Sequence, residues 1–443
     1  AFTLTVSTDG GDTYYELLGS GFSFSIHPDH HALWINPADP QQLVLGTDGG
    51  VYISEDSGFH WRHVANLPVS QFYHVAVDRR WPYNVYGGLQ DNGSWMGPSR
   101  APGGIRNRHW QSIGFGDGFW AFPDPNDDRV LYTEYQGGQL KRVDRETLEI
   151  KRIQPAPGPE QETLRFNWNT PLHLSPNKPG TLYYGAQYLF RSRDRGESWE
   201  AISPDLSTDD PQGQRQAQSG GLTIDNSTAE NYTTIYSISE SPLDHRTIWV
   251  GTDDGNVQLT RDGGRSWENV VGNIDGVPAG TWVSRVEAGP HDAATAFVTF
   301  DGHRRGDMRT YLFRTTDYGE SWTSLATAEI DGYAWVIKQD PVNPQLLFLG
   351  TEEGLYISLD QGENWARFSE NLPRVPVHDL VVHPTEQDLV IATHGRGVYI
   401  IDDITPLRAL TQDIIDADVA VLPTRPARMV LNSQIQGFGA NDA

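Results

Sequence analysis

Short apolar runs separated by turns rich in Gly, Pro and Asp recur along nearly the whole chain. One pattern repeats: an apolar strand, a Pro-Asp-Pro-like turn, a second strand ending in Gly-Thr-x-x-Gly, a third strand, an eight-residue turn and a fourth strand. Unit one runs through Ala32-Leu-Trp-Ile-Asn-Pro37 and Leu43-Val-Leu-Gly-Thr47 to Trp61. Units two to four carry Tyr73-His-Val-Ala-Val-Asp78, Phe119-Trp-Ala-Phe-Pro123 and Pro171-Leu-His-Leu-Ser-Pro176. Units five, six and seven begin near Ile235, Val283 and Trp335, and an eighth begins at Val377. Four short strands in every 40 to 50 residues or so is the period of a propeller blade.

The eight-residue turn is clearest at Ser192-Arg-Asp194-Arg-Gly196-Glu-Ser-Trp199. It returns at Ser54 to Trp61, Thr260 to Trp267, Thr315 to Trp322 and Ser358 to Trp365, with Tyr14 replacing Trp in a variant from Ser7. Its chemistry predicts a stapled hairpin: Asp accepts from free amides of the turn, Gly supplies a positive φ, and Trp drops into apolar packing.

This Ser/Thr-x-Asp-x-Gly-x-x-Trp repeat resembles the Asp-box of the Asp-box β-propellers, which include sialidases, two-propeller xyloglucanases, the sortilin luminal domain and photosystem II assembly factors. The chain is most similar to the large secreted bacterial sortilin-like and glycosyl-hydrolase repeat proteins. That resemblance implies an all-β propeller of four-stranded blades. It implies little about chemistry, because the family mixes hydrolases, receptors and assembly factors on one fold.

The expected organisation is seven blades plus a split or partial eighth. Residues 1–18 form the outer hairpin of an incomplete blade, 19–406 the propeller, and 407–443 a tail leading to a further domain. Val398 to Asp402 and Thr3 to Val6 both suit the third-strand position of one closing blade. In a two-ring plan like that of the xyloglucanases, the eighth unit and the N-terminal hairpin belong to the other ring. Residues 203–226, rich in Asp, Gln, Ser and Gly, read as a long loop.

Composition narrows the partners. A net charge of -25 argues against nucleic acid and anionic membranes, and no Cys is present to form a disulfide. No apolar run approaches a membrane span. A polysaccharide or a protein subunit is the expected partner, in a secreted or periplasmic setting, and no cofactor motif is read.

In a propeller, residues before the first strand and after the second share one face, so candidate chemistry is sought there. Tyr73, His74, Arg165, Trp168, Asn169, Trp282, Arg285, Trp335 and His378 fall on it, with His30 in unit one. Aromatic platforms beside amides and arginines describe a sugar-binding surface. Asp91 and Asp117, in Gly-flanked loops of adjacent units, are the candidate carboxylate pair of a glycosidase. His27, Asp29, His30 and His31 are metal-ligand types, but neighbours along a strand face opposite ways, so no metal site is assigned. Two readings stay open: a polysaccharide-binding propeller that forms part of a glycoside hydrolase, and a non-catalytic protein-binding scaffold.

Overall fold

The computed structural model describes residues 3–17, 26–158, 162–215, 218, 228–229 and 231–428. Parts of the expected 203–226 loop, and the tail beyond 428, lie outside the described residues.

The recurrent turn folds alike at every copy. Ser192 Oγ donates to Asp194 (2.8 Å) and accepts from the Gly196 amide (2.8 Å), while Asp194 accepts from the Ser198 amide (2.9 Å). The same three bonds recur from Ser7, Ser54, Thr260, Thr315 and Ser358. Arg195 and Gly196 take successive left-handed conformations, φ 61° and 85°, which reverse the chain tightly. The tryptophan does something else. Trp199, Trp267 and Trp365 donate their indole N–H to Ile153, Ile202 and Leu325, each just past the outermost strand of the preceding unit. So the Ser and Asp close the hairpin, and these three tryptophans bolt one sheet to the next; Trp322 packs on the preceding unit with its indole N–H unpaired.

The chain is an all-β propeller. Its described residues form seven four-stranded antiparallel sheets, one three-stranded sheet (Val377–Val382, Leu389–Thr393, Gly397–Ile401) and a two-stranded hairpin (Thr5–Val6, Tyr15–Glu16). Units two to eight pack in succession through apolar layers. The last returns to the first: Phe72, Val75, Tyr83 and Val85 of unit two pack on Val390 and Ala392 of unit eight. Tyr83 also donates to Asp388 (3.0 Å), and His383 Nε2 meets the Asp78 carbonyl (2.9 Å).

This closure orders the units. Unit eight seals the ring instead of serving a second one, and unit one stands outside it. Unit one has a small core of its own, Ile26, Leu45 and Tyr52, against which Leu4 of the N-terminal hairpin packs. The inner strand of unit one leaves Leu33, Trp34 and Ile35 about half exposed at 47%, 51% and 52%; in unit seven Val336 and Ile337 are buried. Trp61, which packs with Leu4 on the core of unit one, turns its indole N–H back to Gly58 of its own turn (2.9 Å).

Among the described residues unit eight has three strands. After Ile401 the chain buries Ile404 and enters a short helix, Thr405–Ala409, from which Arg408 reaches Asp340 of unit seven (2.7 Å). Arg425 then returns to Asp388 (2.5 Å). Among the described residues no helix is long and apolar enough to cross a membrane.

Candidate functional site

The seven inner strands line the axis, and six of them share one irregularity, which the inner strand of unit one also shows. Their pairing with the second strand slips by one residue: the extra residue is Tyr73, Tyr236, Ser284, Trp335 or His378 in five of them, and falls within Phe119–Trp120 in unit three. A bulge interrupts the in-and-out alternation of a strand. Neighbours such as Tyr73 and His74 therefore both face the axis. All five extra residues line one cavity of about 270 Å³ at the axial mouth, together with His74, Trp120, Trp168, Asn169, Trp282, Arg285 and Arg304.

The floor of this cavity is a polar plug. His74 of unit two lies flat on Trp120 of unit three, with ring centroids 3.5 Å apart and planes 7° from parallel. Its Nε2 meets Asn169 Oδ1 at 3.0 Å and its Nδ1 stands 3.5 Å from Asp379. Asp379 takes a 2.8 Å bond from Arg285 and another from the Val75 amide (3.2 Å). Burial alone would raise the Asp379 carboxyl, but the Arg285 charge and His74 bring it down to about 2. Below the plug a second axial cavity, about 380 Å³, opens on the opposite side.

The walls are aromatic. Trp282 stands edge-on to Tyr236 (5.1 Å), Trp335 tilts against His378 (4.1 Å), and His378 stacks on His394 (4.3 Å). Burial lowers the pKa of both His74 and His378, the latter well below its usual value with help from the charges of His394 and His74. Burial thus favours the neutral form of both. With Arg285 balanced by Asp379, the charge left at the mouth is that of Arg304, whose guanidinium sits 4.1 Å over the Trp282 ring.

Of the residues singled out from sequence, Tyr73, His74, Trp168, Asn169, Trp282, Arg285, Trp335 and His378 come together in this cavity. His30 does not; it is buried in unit one, outside the ring. Arg165 faces away as well, ion-paired to Asp205 and Asp209 and donating to the Thr233 carbonyl. Trp120 and Tyr236 were missed, while Arg304 falls on the expected face as part of the exit from the second strand of unit six. The first two sit one or two residues inside their strands, where plain alternation gives no sign of the bulge.

Asp91 and Asp117 are neighbours behind Tyr73. The Asp91 amide donates to Asp117 Oδ1 (2.9 Å), and the two carboxyl groups hydrogen-bond to each other. Burial, then the charges of Asp117 and Asp48, push Asp91 up to about 7; burial raises Asp117 too. Sharing a proton in this way puts the groups nearer than the roughly 5 to 5.5 Å of a retaining glycosidase pair. Neither lines the cavity. Instead they sit where unit one meets the ring: His27 Nε2 contacts the Asp91 carbonyl (2.8 Å) and Asn92 donates to the Asp48 carbonyl (3.0 Å).

No protein-family model matches the chain, and no curated protein matches it. Among solved structures, the GH74 enzyme of Niastella koreensis is similar at 14% identity over 90% of this chain and 72% of that one, with a TM-score of 0.31. A superposition that loose carries no chemistry across.

Proposed function

We propose that the axial mouth binds a saccharide, and that the chain serves as a binding module for polysaccharide. One observation carries the reading: Tyr73, Trp168, Tyr236, Trp282 and Trp335 converge with Asn169, Ser284 and Arg304 on one cavity. Indole and phenol rings cover the apolar faces of a pyranose, and amide, hydroxyl and guanidinium groups take its hydroxyls. The cavity suits one sugar at the end or bend of a chain. Glycoside hydrolysis needs a carboxylate pair at the scissile bond. None of the described residues lining this cavity is a carboxylate, so the geometry supports binding over cleavage. Such a ligand is met outside the cytoplasm, in a secreted or periplasmic setting.

Calorimetry with an oligosaccharide panel, beside an assay for released reducing ends, tests this. Trp168→Ala and Trp282→Ala should each weaken binding by about tenfold or more while leaving the melting temperature nearly unchanged. Equal binding by both variants would sink the reading. Release of reducing ends by the parent chain would turn it into an enzyme reading.

The scaffold reading keeps one observation in its favour, the half-exposed Leu33, Trp34 and Ile35 of unit one. A protein partner covering that strand would protect it from solvent, which hydrogen exchange with and without the partner would register.

A further inference from the structure

The charge distribution at the axial mouth is unlike that of the rest of the chain. Asp and Glu outnumber Lys and Arg by 58 to 33 overall. Yet among the described residues lining the mouth there are two arginines and no carboxylate. The lower axial cavity shows the contrast, with Glu240, Glu287 and Asp379 set against Lys338 and Arg285.

Arg285 is neutralised by Asp379, but Arg304 has no carboxylate partner among the described residues. The acids nearest in its loop and the next unit are engaged elsewhere. Asp301 holds His303 Nδ1 (2.6 Å), Glu352 accepts from Tyr333 (2.8 Å) and Glu353 pairs with Arg374. Trp335 Nε1, a fully buried donor of a residue lining this mouth alone, also stands without a hydrogen-bond partner; Trp120 Nε1 and Arg285 Nε are unpaired too, in residues that line both axial cavities. Buried donors ordinarily find acceptors. An unpaired guanidinium, with no competing carboxylate among the described lining residues, makes a site for an anion on an aromatic floor.

We infer that the saccharide bound at the axial mouth is acidic, a uronic-acid-bearing chain whose carboxylate pairs with Arg304 while its ring lies against Trp282 and its neighbours. This rests on the saccharide reading of the same cavity and names its ligand class. Arginine suits the task because its planar fork matches a carboxylate in two parallel bonds, and because it holds its place by stacking on Trp282. The single unbalanced charge matches a single carboxylate.

The test is calorimetry with uronate oligosaccharides (galacturonate, mannuronate and guluronate oligomers and glucuronate-bearing xylan). Each is measured beside its counterpart with the carboxyl reduced to the alcohol, and beside a sulfated neutral oligosaccharide. The acid forms should bind about tenfold or more tightly than the reduced forms, as befits a charge-assisted bond, and should weaken with added salt. Arg304→Gln, at an exposed position that leaves the fold alone, should bring the acid down to the level of its reduced form; Arg304→Lys should restore part of the difference. Equal binding of acid and reduced forms overturns the acidic ligand and leaves the saccharide reading standing. Preference for the sulfated sugar overturns the carboxylate. Binding of no sugar by the parent chain overturns both.

Discussion

Arg285 of unit six and Asp379 of unit eight meet across the propeller axis at 2.8 Å, although unit seven lies between them in the ring. Asp379 also accepts from the Val75 amide of unit two, so one carboxylate ties three units together. Asp379→Asn would leave the Arg285 charge buried without its counterpart and should destabilise the fold by about 3 kcal/mol, read from the denaturant midpoint. The pH dependence has a definite sign. Because the folded pKa is near 2, below the unfolded value, the contribution of Asp379 is present above about pH 4 and fades as pH falls through about 2. The variant should lack that acid limb.

Asp91 should act in the opposite direction. Its carboxyl is raised to about 7 in the fold, so between about pH 4 and 7 the unfolded chain has lost a proton that the native state keeps. Stability should therefore fall as pH rises through that window. Asn tolerates the left-handed conformation at this position, φ 60°, and carries no charge. Thermal melts of Asp91→Asn from pH 4 to 8 should show a flatter profile and a higher melting temperature than the parent above pH 7. An unchanged slope would refute the shared-proton pair.

The tryptophans of the turn should fall into two classes. Trp199→Phe removes a bond to the preceding unit at Ile153 and should cost about 1 kcal/mol beyond lost packing. Trp61→Phe removes a bond within its own turn, in a unit outside the ring. Chemical denaturation followed by ring tryptophan fluorescence should move in the first variant and scarcely in the second.

Arg408 ties the segment that follows unit eight to unit seven. Its guanidinium is bound to Asp340, a carboxylate fully buried in unit seven. Arg408→Met keeps most of the stem but strands that carboxylate, and should cost about 3 to 5 kcal/mol in equilibrium unfolding. The double variant Arg408→Met with Asp340→Asn should recover much of the loss, since the buried charge is then gone.

Much of this molecule was legible in the chain. The turn from Ser192 to Trp199 specifies its own geometry, because Ser, Asp and Gly bond to partners within four residues. Strand alternation is equally local, and eight of the residues expected on the axial face do gather there. Arg165 has the same residue type and placement as a ligand-binding arginine, but Asp205, forty positions on, takes it.

What the sequence by itself determined is the repeating blade: its strands, its stapled turn and the side on which polar and aromatic residues collect. Only the tertiary structure decided which units close the ring, because that rests on contacts such as Tyr83 with Asp388, and unit one bears the same local pattern as the units inside. The tertiary structure also decided the site. A one-residue slip recurs in the inner strands, at Tyr73, Tyr236, Ser284, Trp335 and His378 and also at His31 of unit one outside the ring, so the bulge belongs to the repeat; only the closing of units two to eight brings the first five residues to one axis.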